Sequence, residues 1–313
     1  MIGLNPETNE RTRPRIWAVG GGKGGVGKTV ITANMAICLS QLGFICVALD
    51  ADLGGANLHT VLGMAGPDRT LSDFIRKEVD SLADTMVQTP FPNLRFISGS
   101  RALLEMANPK HTQKEKIIRH ITTLDVDFVL LDLGSGSAFN TLDFFLAADE
   151  GVLVVLPEPT SVENAYHFIK AAFYRKLKKA TKLSGVAEAI DKAMEEKVAR
   201  GIQSPRTLIS NVAQIDPEAG QALMEEAATF CPDIIVNQTR RFDDHNLGND
   251  IVHACRDYFG IEIRHIGSID EDDSLREAVR LRKAVLEAFP ASPFSRSIHA
   301  IVRNLLDSKR AVP

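Results

Sequence analysis

Two lysines lie in one short glycine-rich stretch, GGKGGVGKT at residues 21–29. From Gly22 to Thr29 the stretch fits the G-x-x-x-x-G-K-[ST] pattern of a phosphate-binding loop. Glycines let consecutive backbone N–H groups point at one anion, and Lys28 adds a positive charge for the β- and γ-phosphates. The Thr29 hydroxyl is a suitable Mg²⁺ ligand. The pattern predicts a nucleotide site but gives Lys23 no task.

The flanking residues predict the elements that such a loop needs. RIWAVG at 15–20 is apolar and β-branched, as in a buried strand. KTVITANMAICLSQLG at 28–43 predicts a helix, with Gly43 as its stop. The apolar residues at helical spacing in it are Ile31, Met35, Leu39 and Leu42.

Carboxylates follow two further apolar runs. The run at 45–50 ends in Asp50, with Asp52 just beyond it, and the run at 128–133 contains Asp132. Because ligands of a parallel sheet sit at the carboxyl ends of its strands, these side chains are candidates for holding Mg²⁺ and its waters. The alternative is that they only cap helices.

Apolar runs alternate with helical patterns along the chain, which predicts an α/β fold: a doubly wound, mainly parallel sheet with helices on both faces. The predicted strands are 15–20, 45–50, 94–99, 128–133, 151–157, 233–237 and 263–269. About 75 residues separate two of these strands, more than one crossover helix needs. We therefore expect a helical elaboration at about 160–230, with helices near 162–177, 186–199 and 217–229. A flexible tail, 1–13, and one domain, 14–308, complete the prediction.

The bulk composition is that of an ordinary globular protein. The 313 residues include 44% hydrophobic and 24% charged side chains, and the net charge of −4 gives no overall bias toward nucleic acid. No apolar run approaches the roughly 20 residues of a membrane span, and no signal peptide is evident, which favours the cytoplasm. The four cysteines form no C-x-x-C pair, and Cys38 and Cys46 are expected in the core.

KGGVGKT, DADLGGANLHTVLG and LLDLGSGS together resemble the MinD/ParA family of P-loop ATPases, whose loop is the deviant Walker A motif. The resemblance covers residues 15 to about 307. DADLGGANL and the late stretch SIDEDDSLREAVRLRKAVLEAFPASPFSRSI resemble the FlhG/FleN branch. The family implies a doubly wound fold, with ATP and Mg²⁺ as cofactors.

The resemblance also implies a task for Lys23. In this family the matching lysine reaches across a face-to-face homodimer to the ATP of the partner subunit, as an arginine finger does in trans. A dimer that depends on ATP follows from that role. The alternative is an ordinary solvated surface lysine.

Further roles carry over by position. Asp52 matches the carboxylate that orients the attacking water, Gly136 the glycine that senses the γ-phosphate, and Asn237 the asparagine that contacts adenine. The loop at Ser268–Asp270 would line the base. The implied catalytic residues are Lys23, Lys28 and Asp52, and the implied metal-site residues are Thr29, Asp50 and Asp132, the aspartates through water. The implied ATP-binding residues are Gly22, Lys23, Gly24, Gly25, Val26, Gly27, Lys28, Thr29, Val30, Gly136, Asn237 and Asp270.

The chain departs from the family pattern at the second switch. Many relatives have D-x-P-A-G there, whereas this chain has Asp132-Leu-Gly-Ser-Gly136. The N-terminal tail lacks the glutamine-containing segment that typical FlhG proteins direct toward flagellar partners. Hydrolysis rate and a flagellar assignment are therefore left open.

Three surfaces have two interpretations each. Phe294 to Leu306 give one apolar helix face, which suits either a membrane-targeting helix or, as we favour, a core helix. The basic runs 174–182 and 280–285 could contact DNA phosphates or anionic lipid, or could be solvated helix faces.

The leading functional hypothesis is an ATP-dependent homodimerisation switch for spatial organisation, with slow, partner-stimulated hydrolysis and FlhG-like flagellar placement as one role. A ParA-type DNA-partitioning ATPase is the alternative. An Mrp-type iron–sulfur carrier fits less well, because it needs cysteines at a cluster.

Overall fold

The computed structural model describes residues 13–52, 55–99, 111–180, 205–240 and 242–308. Within them lies one eight-stranded sheet with the order β3-β4-β2-β5-β1-β6-β7-β8, parallel except for β3, which runs antiparallel to β4. The strands are β1 (Arg15–Gly20), β2 (Cys46–Asp50), β3 (Val87–Gln88), β4 (Leu94–Ile97), β5 (Phe128–Asp132), β6 (Glu150–Val155), β7 (Asp233–Thr239) and β8 (Arg264–Asp270). The predicted doubly wound sheet is confirmed, and β3 is an addition to it.

Helices connect the strands and cover both faces. They are α1 (Lys28–Gln41), α2 (Leu58–Val61), α3 (Leu71–Arg76), α4 (His111–Ile121), α5 (Phe139–Ala147), α6 (Pro159–Ala180), α7 (Pro205–Ile215), α8 (Pro217–Ala228), α9 (Phe242–Phe259), α10 (Asp273–Leu281), α11 (Val285–Ala288) and α12 (Pro293–Asp307). The predicted helices near 162–177 and 217–229 correspond to α6 and α8. The predicted helix at 186–199 and residues 1–12 of the predicted tail lie outside the described residues, whereas Arg13 is tied to Asp149 by a 2.7 Å ion pair.

Successive residues of β1 point into two separate cores. Ile16 and Ala18 join the layer formed with α5 and α6, whereas Trp17 and Val19 join the layer formed with α1 and α12. Each face of the central strand is therefore fully covered, which explains why its sequence is a continuous apolar run instead of an alternating one.

Helix α1 is buried on every side from Ile31 to Ser40 because α12 covers the side that faces away from the sheet. The expected apolar stripe is therefore only part of its buried surface. Leu42, predicted to belong to that stripe, is 51% exposed because the helix ends at Gln41 and Gly43 turns the chain with a φ of 95°.

The final helix is a core element. Its apolar face packs on α1 and β8, and the buried members of that face are Phe294, Ile298, Ile301, Val302 and Leu305. This confirms the core interpretation over the membrane-targeting one for this face. No helix in the described part of the chain is long and apolar enough to cross a bilayer.

Ion pairs occupy much of the first basic run. Arg175 and Lys179 contact Asp143 at 2.7 and 2.9 Å, and Lys176 contacts Glu226 at 2.8 Å. Lys182 lies outside the described residues. Within α6, the run thus binds the chain's own carboxylates, which leaves less charge for phosphate groups.

Candidate functional site

The phosphate-binding loop lies between the end of β1 and the start of α1, at the carboxyl edge of the sheet. Gly25 and Gly27 have φ angles of 78° and 97°, a region that glycine adopts without steric cost. Gly27 is also the N-cap of α1 and makes no side-chain cap, so the first N–H groups of the helix remain available to an anion.

Two asparagine residues, Asn164 and Asn237, pack against glycines of the phosphate-binding loop. A Cβ at Gly22 would lie 2.2 Å from the backbone oxygen of Asn164 in α6. A Cβ at Gly27 would lie 2.5 Å from the Nδ2 of Asn237, which donates a 2.8 Å hydrogen bond to the carbonyl of Val26. Packing therefore requires glycine at both positions, and at Gly27 the positive φ requires it as well.

Lys28 is buried, and its Nζ donates a 3.4 Å hydrogen bond to the carbonyl of Lys23. Loss of hydration lowers the pKa of Lys28, and the carboxylates of Asp132 and Asp52 oppose that change. A partly desolvated ammonium that faces the inside of the loop is suited to bind phosphate oxygens.

Asp50 and Asp132 lie side by side, because β2 and β5 are paired in register at these residues. Burial, together with the negative charge of Asp50, raises the pKa of Asp132 to about 8, against hydrogen bonding from Thr29. Burial raises the pKa of Asp50 to about 6, although the backbone N–H groups of Leu58 and Asp52 donate to its carboxylate. Two adjacent buried carboxyl groups favour a nearby cation.

The donor chemistry fits Mg²⁺, which prefers oxygen ligands and keeps several of its waters. The hydroxyl of Thr29 and the carboxylates of Asp50 and Asp132 supply oxygens only. Across the described residues, no three His, Cys, Asp or Glu side chains converge as direct ligands. The direct contact of Thr29 and the contacts of the two aspartates through water stay a prediction.

Asp52 lies against the second switch. A Cβ at Gly134 would come within 3.3 Å of the Asp52 Oδ1, so glycine at this position leaves room for the carboxylate. Gly136 has a φ of 81°, and its N–H donates a 3.1 Å hydrogen bond to Gly21 of the phosphate-binding loop. The structure thus brings the predicted water-orienting carboxylate and the predicted γ-phosphate sensor to one edge of the site.

Lys23 lies at the outer side of the loop and is partly exposed. Its Nζ forms a 3.0 Å ion pair with Glu158 and donates a 3.4 Å hydrogen bond to the Thr160 hydroxyl. Contacts within the same chain therefore hold the Lys23 side chain next to the nucleotide site. It is neither a freely solvated lysine nor a part of the buried charge cluster.

The adenine side of the site differs from the prediction in two respects. Asn237 does not end its strand, because β7 continues to Thr239, with Gln238 at a φ of 59°. Residues 268–270 belong to β8 and are not a loop, and Asp270 accepts a 2.6 Å hydrogen bond from Thr239. These residues lie on the paired strands β7 and β8.

Sequence reasoning missed several residues that shape the site. Glu158, Thr160 and Asn164 all follow β6, the strand beside β1, at the same carboxyl edge. The rule that led to Asp50 and Asp132 applies equally to this strand end and could have identified Glu158.

With this geometry established, comparison with known proteins places the chain. A ParA model described as "NUBPL iron-transfer P-loop NTPase" matches residues 13–201, more than half of the chain. The chain belongs to the ParA family of P-loop NTPases. The iron transfer in that description concerns the protein named there. In this ParA-family chain Cys38, Cys46 and Cys255 are buried, the first two as predicted.

Two relatives align over nearly the whole ParA-family chain. The antiactivator FleN of Pseudomonas aeruginosa is 29% identical, with 93% of this chain and 86% of FleN covered. The flagellum site-determining protein YlxH of Helicobacter pylori is 25% identical, with 97% and 86% covered.

Solved structures agree in fold. The septum site-determining protein MinD of Pyrococcus horikoshii, solved with Mg-ADP, gives a TM-score of 0.63 at 21% identity, covering 94% of this chain and 96% of MinD. A ParA family ATPase of Chlorobium tepidum gives a TM-score of 0.61 at 20% identity, covering 94% of this chain and 100% of that ATPase. At these identities the comparison supports the architecture alone.

Proposed function

We propose that the protein is a Mg²⁺-dependent ATPase that acts as an ATP-dependent homodimerisation switch in spatial organisation. The observation that carries the proposal is the position of Lys23, on the outer side of the loop and held by an exchangeable surface ion pair with Glu158. When a second subunit approaches this face, the γ-phosphate of the ATP bound to that subunit could draw Lys23 away from Glu158. ADP lacks that phosphate, so it would not support the dimer.

The inner residues have separate tasks in this proposal. Lys28 and the N–H groups of the loop bind the phosphates, and Thr29 holds Mg²⁺ with the help of Asp50 and Asp132. The bound Mg²⁺ supplies charge neutralisation of the phosphates. Asp52 orients the attacking water, and Gly136 responds to the γ-phosphate through its contact with Gly21.

The likeness to FleN and YlxH supports a role in the number or placement of flagella, or a related positioning role. A protein partner would bind the dimer and stimulate slow hydrolysis, which returns the switch to the monomer. We further propose that residues 14–308 work as one ATPase domain.

Solution mass, measured by light scattering with ADP and with ATP, tests the switch. Asp52→Ala should slow hydrolysis and keep ATP bound, so that the mass doubles with ATP only. Adding Lys23→Ala to this variant should abolish the doubling while leaving ATP affinity within about threefold, because Lys28 supplies the cis contact. Lys283→Ala is a matched control, since Lys283 pairs with Glu287 at 2.9 Å on the surface.

A mass that stays monomeric with bound ATP in Asp52→Ala would overturn the dimer. A doubling that persists with Lys23→Ala would overturn only the role of that lysine.

A further inference from the structure

An aromatic side chain stands exposed beside the second switch. Phe139 is the first residue of α5, three residues after Gly136, and is 65% exposed. The guanidinium of Arg175 lies over its ring at 4.6 Å from the centroid, which fixes the ring's place by a cation–π contact. Large exposed aromatic residues next to arginine are typical of protein-binding surfaces.

Among the described residues near Phe139, three cations contact one carboxylate, that of Asp143. Asp143 is buried and accepts hydrogen bonds from Arg175 at 2.8 and 2.7 Å and from Lys114 at 2.6 Å, and Lys179 pairs with it at 2.9 Å. Against the effect of burial, these cations hold the pKa of Asp143 well below its usual range, so its charge persists at neutral pH. Three cations thus share one carboxylate.

We propose that Phe139, Arg175 and Lys179, here termed the Phe139 surface, form the docking site for an acidic segment of a partner protein. An apolar side chain of that segment would pack on the exposed face of the ring, and its carboxylates would offset the unbalanced cations. Charge complementarity favours an acidic partner, because three cations contact the one carboxylate of Asp143.

A short stretch of backbone links the Phe139 surface to the phosphate-binding loop. Gly136 donates to Gly21, and the Ser135 side chain faces Gly24 across 3.8 Å from its notional Cβ. A segment bound at Phe139 therefore contacts the helix that begins where the switch ends. The docking site deepens the proposed function, because the expected stimulation of hydrolysis rests on that function. Binding of the acidic segment itself does not depend on dimerisation.

Selection from a displayed library of random 12-residue peptides, on the full chain with ADP, tests the docking site. Enriched peptides should combine Asp or Glu with Phe, Leu or Trp. Their affinity should fall at least tenfold with Phe139→Ala and about threefold with Lys179→Gln. Met224→Ala is the matched control, since Met224 is 47% exposed on α8 and should leave affinity unchanged. Thermal unfolding of each variant verifies that it is folded.

Three results would overturn the proposal: no enrichment, enrichment of peptides without acidic residues, or equal loss with Met224→Ala. A fourth is loss of the ATP-dependent mass doubling with Phe139→Ala, which would assign the surface to a second copy of the chain. If acidic peptides bind at Phe139 but ATP produces no dimer, the docking site stands and the switch fails.

Discussion

The site has an inner half and an outer half that differ in burial, and one lysine of the same loop lies in each. Lys28, in the inner half, is 8% exposed and faces carboxylates at the ends of β2 and β5. Lys23, in the outer half, is 39% exposed and pairs with Glu158, which is itself exposed. Lys28, which its own chain surrounds, and Lys23, whose surface partner is exchangeable, are thus only five positions apart in the sequence.

Burial explains why we propose different tasks for the two lysines. A desolvated ammonium binds phosphate strongly and cannot easily find another partner. A surface ion pair contributes only about 0.2–1 kcal/mol, so a stronger anion can displace it. The inner half is therefore suited to bind ATP within one chain, and the outer half to respond to a second molecule.

The largest effect should come from Lys28→Met, which keeps the length of the side chain but removes its charge. We expect ATP affinity to fall at least 100-fold, measured by titration with a fluorescent ATP analogue, because the phosphates lose a desolvated charge. Lys114→Met removes another buried lysine, paired with Asp143, and should leave affinity unchanged. Similar losses in both variants would contradict the special role of the inner half.

Gly134→Ala tests the boundary between the two halves. The added Cβ would meet the Asp52 carboxylate at 3.3 Å and shift it, so we expect ATP hydrolysis to fall about tenfold with ATP affinity retained. Phosphate release at saturating ATP measures the rate. Ser135→Ala changes the same loop without approaching Asp52, and an equal effect from it would argue against displacement of the carboxylate.

The pH dependence of the stability of Asp132→Asn tests the raised pKa in the inner half. The pKa of Asp132 is raised from 3.8 to about 8 in the folded protein. The unfolded chain therefore releases this proton at a lower pH than the folded protein does, and the stability of the fold decreases as the pH rises from about 4 to about 8. The variant lacks this penalty. In nucleotide-free protein, the Tm difference between variant and wild type should therefore be about 2–4 °C more positive at pH 8 than at pH 5. Equal differences at both pH values would contradict the raised pKa.

Glu158→Gln should have the smallest effect. It removes the charge that holds Lys23, so in the Asp52→Ala background the dimer should form at a two- to fivefold lower ATP concentration, measured by light scattering. Glu287→Gln, which breaks the matched pair with Lys283, should have no effect. A higher ATP requirement would show that Glu158 assists the dimer instead of competing with it.

Most of the inner half was predictable, because its residues obey local rules. The loop pattern specified Lys28 and Thr29, and the rule that strand ends meet at one edge brought Asp50 and Asp132 together. The seven longer strands were predicted for the same reason: each is a buried apolar run. Strand β3 was not predicted, because its two residues are too few to show a hydrophobic periodicity.

The outer half was less predictable, because it depends on contacts between distant segments. The pairing of Lys23 with Glu158 joins residues 135 positions apart, and no spacing rule specifies it. Leu42 shares the helical spacing of Ile31, Met35 and Leu39 but is exposed, because periodicity does not show where the buried part of a helix ends. Likewise, only tertiary packing reveals that Asn164 touches Gly22 and forbids a side chain there.

The packing of α12 on α1 has a genetic consequence. The last helix, Pro293–Asp307, covers the helix that begins with Lys28, and the Asn34 side chain accepts a hydrogen bond from Leu286 at 3.0 Å. A nonsense codon just before Pro293 would strip this cover and expose apolar surface of α1. Substitutions within Pro293–Asp307 should therefore impair nucleotide binding, although they lie far along the chain from Lys28.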